Sequence, residues 1–154
     1  MANEAILNLG TELVLATTAS TSAISNGAYA ECTQDTRTSA DNPGYVLGIF
    51  EFDTAAGGFS AAPTAGARIN LYEQSINSDS NDAPDVDANY RQKYLYSFPI
   101  DPADAQQYLV SPPLPINRSG AKYWVQFVDG GAGTASVDSG WELRLTPCAY
   151  GTSA

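Results

Sequence analysis

The chain has 154 residues, enough to bury one sizeable core without help from metals or disulfides. Its 17 acids against 7 bases leave a formal net charge of −10, which argues against nucleic acid and anionic membranes as partners, because both are held by clustered Lys and Arg. It contains no histidine, so His-based triads and the commonest metal ligand are excluded.

The first residues, "MANEAILNLGTELVLATT", have no basic segment ahead of their apolar positions and are interrupted by Asn and Glu; they read as an extended arm or first strand over 1–20, not as a secretory leader. No Lys or Arg precedes Arg37. Residues 21–154 read as one β-sandwich domain, since aromatic and β-branched residues come in short runs divided by Gly, Pro, Asn, Asp and Ser. Weak strand patterns lie at "TELVLAT" (11–17) and "AYAECT" (28–33). "GYVLGIFEF" (44–52) is apolar on both faces over most of its length and is expected at the centre of a sheet. In "ARINLYEQ" (67–74), Ile69 and Leu71 alternate with Arg68, Asn70 and Tyr72, which predicts one core face and one wet face.

Further strands are expected at "QKYLYSF" (92–98) and "QQYLVS" (106–111), with a short helical turn between them in "DPADAQQY", where Asp101 is the cap and Pro102 the first helical position. "KYWVQFVD" (122–129) sets Tyr123, Val125 and Phe127 against Lys122, Trp124, Gln126 and Val128. "WELRLTP" (141–147) sets Trp141, Leu143 and Leu145 against Glu142, Arg144 and Thr146. The glycine-rich "DGGAG" between these two is expected to close a hairpin. The sum is an all-β chain, a single jelly-roll-like β-sandwich of about eight strands with an extended N-terminal arm. Cys32 and Cys148 are expected to be reduced and buried.

The segment "NSDSNDAPDVDANYRQKYLY" (77–96) concentrates Asp79, Asp82, Asp85 and Asp87 with Asn89. An EF-hand loop needs a glycine sixth and a glutamate twelfth; counting from Asp79 the sixth residue is Pro84, and counting from Asp85 the sixth and twelfth are Tyr90 and Tyr96. Both registers fail. Alternate positions of "DVDAN" leave a looser calcium site open, beside the plainer reading of a solvated loop partly balanced by Arg91 and Lys93. No Gly-x-Ser-x-Gly elbow or P-loop is present, and no pair of carboxylates is marked for glycoside hydrolysis, so no catalytic residue, cofactor or resident metal is assigned. The 9 tyrosines and 2 tryptophans include candidates for outward aromatics, Tyr94 and Trp124, suited to a protein interface or a sugar platform.

The opening "MANEAILNLGTELVL", and the later succession "GARINLYEQS", a polar loop, "YLYSFPI", "LPINRSGAKYWVQFVD", a glycine turn and a final strand, resemble the small jelly-roll head decoration or cement proteins of tailed bacteriophages. That resemblance covers the order of strands more than particular motifs. It implies a non-enzymatic virion protein, made in the host cytoplasm and seated on the head surface. Its partner there would be the major capsid protein, and it would form homo-oligomers, often trimers, that clamp the mature shell. Ile6, Leu7 and Leu9 of the arm are the expected bridge to a neighbour by strand addition, with Tyr94 and Trp124 as further interface candidates. The alternatives are another virion subunit (tail, head fibre or adaptor) and a calcium-dependent carbohydrate-binding sandwich that uses Trp124 and the 79–87 loop.

Overall fold

A computed structural model describes residues 5–32, 45–54, 57–75, 84–90, 93–117, 121–131 and 133–152. Numbered in chain order, its strands form two main antiparallel sheets. The six-stranded sheet runs β1 (Ala5–Leu9), β12 (Glu142–Thr152), β5 (Leu47–Asp53) and β8 (Tyr108–Val110), with β2 (Leu13–Ala16) also on β12 and β9 (Leu114–Pro115) also on β5. The four-stranded sheet runs β4 (Tyr29–Glu31), β10 (Ala121–Val128), β6 (Arg68–Ser75) and β7 (Tyr94–Pro99). A separate ribbon joins β3 (Ile24–Ser25) to β11 (Ser136–Val137). Among the described residues the architecture is therefore all-β, as the alternation implied, with 12 strands in place of the expected eight or so. Broken edges and the two-residue ribbon account for the difference: β1 and β2 follow one another along β12, and β8 and β9 are parted by Pro112 and Pro113 along β5.

The core lies between the two main sheets. From the six-stranded sheet come Phe50, Phe52, Leu143 and Leu145, with Trp141 at the entry to β12; from the other come Ile69, Leu71, Phe98, Tyr123, Val125 and Phe127. Phe50 meets Tyr123 edge-on across the sheets at 5.0 Å between ring centres, and Phe52 stacks on Trp141 at 5.6 Å. Each fully buried aromatic contributes about 2–3 kcal/mol of transfer energy, so this layer is the main source of stability. A Cβ on Gly48 of β5 would overlap the end of the Leu145 side chain and press on Ile116, so a larger residue there would require these core side chains to shift.

Three local expectations are corrected. The second face of β6 is not wet: Asn70, Tyr72 and Gln74 are buried, because cross-strand polar partners cover one another. Gln126 is the hub, accepting from Asn70 Nδ2 at 3.2 Å and the Tyr72 hydroxyl at 3.0 Å while donating to the Gly27 carbonyl at 3.1 Å. Residues 129–141 do not form a hairpin. Both edges of β10 are already taken, by β4 and β6, so the chain crosses to the other sheet through β11. Nor is there a helix at 101–107. Asp101 does cap a turn through Ala103 N at 2.9 Å, but the buried Gln107 amide then donates to the Asp101 and Asp104 carbonyls, supplying the partners that a helix would have given.

Cys32 and Cys148 are both free and buried, and belong to different sheets: Cys32 follows β4, and Cys148 lies within β12. The expected arm is, over Ala5–Leu9, a strand of the domain, in register with β12 from Ala5↔Thr152 to Leu9↔Cys148.

Candidate functional site

Asp79 and Asp82 lie outside the described residues. Asp85, Asp87 and Asn89 are described, and they do not converge. Asp87 Oδ1 accepts from the backbone N–H groups of Asn89 at 2.6 Å and Tyr90 at 2.8 Å, which closes an Asx-type turn and engages that oxygen locally. Asp85 accepts from Gln74 Nε2 at 3.4 Å. Among the described residues no group of three potential metal ligands occurs. Between the two acids, Val86 is buried against Tyr72 and Trp124, so this stretch of the loop acts as a cover for the second face of the four-stranded sheet.

That cover corrects the expectation for Trp124. It does point away from the main core, but only 8% of it is exposed, and its Nε1 donates to Gln74 Oε1 at 2.7 Å. It is not available to a partner or a sugar. Tyr94, by contrast, is 55% exposed on β7; its ring meets Tyr72 at 5.9 Å and its hydroxyl reaches Ser97 at 3.0 Å.

Strand register locates a larger surface. Residues directly opposite in an antiparallel pair share a face. Through β12 and β5, the outward residues Glu142, Asp53 and Tyr108 form one row, and Arg144, Glu51, Val110 and Val14 the next. Leu9 and Leu47 lie opposite Cys148, and Leu7 opposite Tyr150, on the same face. Leu9, Val14, Tyr108, Val110 and Tyr150 are all exposed there, Leu9 by 58% and Tyr150 by 65%. They flank a charged centre in which Arg144 is paired with Glu142. The Tyr108 hydroxyl is pushed up to about 12, chiefly by its hydrogen bond to Glu51, then by burial and by the negative charges of Glu51 and Glu12. An apolar rim around an acidic middle is the composition of a docking face.

An open groove of about 460 Å³ lies at the end of the sandwich between β6, β7 and β9, beside Glu73. Glu73 is only 4% exposed and is fully engaged: Lys93 Nζ donates to Oε1 at 3.2 Å, and Asn117 N and the Tyr123 hydroxyl donate to Oε2 at 2.9 and 3.2 Å. A carboxylate held by three donors is a structural anchor for the groove wall. Sequence reading missed both Glu73 and the outer face. Glu73 stands in a strand pattern as one more polar residue, and the outer face is assembled from five separate segments.

Compared with known proteins, the chain matches no family model, no curated protein and no solved structure.

Proposed function

We propose that the chain is a structural subunit of a bacteriophage virion, a head decoration protein of jelly-roll type that binds the major capsid protein and stabilises the mature shell. The observation that carries this reading is the outer face of the six-stranded sheet, where Leu9, Val14, Tyr108, Val110 and Tyr150 stand exposed on a sandwich whose opposite sheet face is covered at Tyr72 and Trp124 by its own loop. A protein that clamps others needs a rigid, pre-formed platform with apolar anchors, since ordering a flexible surface on binding would cost affinity. Two packed sheets supply that rigidity. The acidic charge suits addition from solution to an assembled shell and avoids the packaged nucleic acid.

The test is abundance and place. Quantitative mass spectrometry of purified particles from the source, with antibody labelling of intact virions, is expected to find a copy number comparable to the shell subunit and label on heads. A few copies confined to the tail would make it an appendage subunit. Absence from particles would refute a virion role of either kind.

A further inference from the structure

Every open sheet needs some means of keeping its edges from pairing with other chains, and among the described residues the four edges of the two main sheets differ in how far they have one. The β8–β9 edge carries Pro112, Pro113 and Pro115, and it packs against β7, so these two edges shield each other. β7 itself is preceded by Lys93, ends at Pro99 and is bulged opposite Leu71 and Tyr72. β4 spans only Tyr29–Glu31, and Glu31 is occupied by Lys122 at 3.3 Å.

The remaining edge is β1 followed by β2; β2 is bulged where Ala16 and Val14 meet Leu143 and Arg144, but the β1 half, Ala5–Leu9, keeps an unbroken register with β12 and has none of these devices. Residues 5–16, "AILNLGTELVLA", contain no proline and no lysine and carry one charge, Glu12. The backbone direction can be read from the ladder. Gly10 N donates to the Pro147 carbonyl at 2.6 Å, in the same register that pairs Leu9 with Cys148. In an antiparallel pair alternate residues face the partner, so Asn8 and Ile6 direct their N–H and C=O groups to β12, while Leu7 and Leu9 direct theirs outward.

We propose that this edge pairs with the same edge of a second copy of the chain, antiparallel across a two-fold axis at Leu7, so that the two six-stranded sheets become one. Self-pairing is favoured by three features. An antiparallel strand is complementary to itself under a two-fold rotation. The edge is nearly free of charge, so two chains of net charge −10 can meet here without opposing their acids. Leu9 and Tyr150, exposed beside the edge on the outer face, are brought against the copy and add apolar burial to the backbone hydrogen bonds. The inference does not depend on the virion reading; a dimer absent from particles would remove that reading and leave this one.

Sedimentation velocity of the purified chain between about 1 and 100 µM is expected to show a dimer, with the Leu7 and Leu9 amides protected from hydrogen exchange. Leu7→Pro deletes only an outward donor, a position where an edge strand tolerates proline, and is expected to weaken the dimer by about 100-fold or more while leaving the far-ultraviolet dichroism unchanged. Should proline disturb the fold, Leu7→Lys with Leu9→Lys is the second variant, placing like charges across the two-fold with the backbone intact. A monomer at 100 µM, a trimer, or a dimer that survives both variants would overturn the proposal.

Discussion

Replacing Glu73 by Ala tests whether a buried carboxylate ties the two sheets together at the groove. Its Oε2 accepts from the Tyr123 hydroxyl on β10 and from Asn117 N in the segment that follows β9, so one atom joins both layers. Hydrogen bonds to a charged acceptor contribute about 1.5–3 kcal/mol each, so the two together give about 3–6 kcal/mol. Lys93 is 41% exposed and stays hydrated when its partner is removed, adding less than about 1 kcal/mol. Water entering from the open groove replaces part of the loss, which places the expected cost near the lower end, about 3–4 kcal/mol. For a chain of 154 residues that corresponds to a drop in Tm of roughly 10 °C. Urea titration followed by tryptophan fluorescence measures it directly, and Glu73→Gln, which keeps one acceptor oxygen, is expected to lose about half as much. A Glu73→Ala protein within about 0.5 kcal/mol of the parent at unchanged m would refute the anchor.

Two further outcomes follow from ionisable groups. Thr64 donates to Asp129 through its hydroxyl and its N–H, and these bonds hold the Asp129 carboxyl below its ordinary 3.8. A depressed carboxyl contributes stability that is present above 3.8 and lost as pH falls through the folded-state value, so Thr64→Ala is expected to unfold at a higher pH in an acid titration and to match the parent once the pH is below the folded-state value. An unchanged acid midpoint would show that the Thr64 hydroxyl has no part in it. Burial, with a smaller contribution from the charge of Glu31, pushes the Cys32 thiol far above its ordinary 9.0, and burial moves Cys148 in the same direction. Their contribution is complete below 9.0 and is lost as pH rises through the folded values. Native protein at pH 8 is therefore expected to resist a thiol-specific reagent that labels both cysteines in denaturant, and rapid native labelling of either would contradict the burial shown here.

Local pattern was enough to determine much of this protein. Period-two alternation in "KYWVQFVD" and "WELRLTP" separated core side chains from the rest, and β10 and β12 bury Tyr123, Val125, Phe127, Leu143 and Leu145 as that alternation requires. The apolar run around Phe50 was legible as a central strand, and β5 lies between β12 and β8. The strand class and these core positions follow from the chain alone because side-chain direction in a strand depends only on the parity of neighbouring residues. What the alternation cannot contain is which strand lies beside which, or what covers the second face of a sheet. By parity Trp124 lies on the face opposite Tyr123, Val125 and Phe127, yet it is buried as they are, because Val86 from a distant loop closes over it and Gln74 takes its N–H. The glycines of 129–133 are compatible with a hairpin, but β4 and β6 leave β10 no free edge on which to form one. Glu73 becomes an anchor only where Asn117 and Tyr123 meet it, and the outer face exists only because β1, β2, β5, β8 and β12 are aligned in one sheet. Tertiary structure decided these features because each depends on residues far apart in the chain, whose contacts are set by the closing of two sheets over one core.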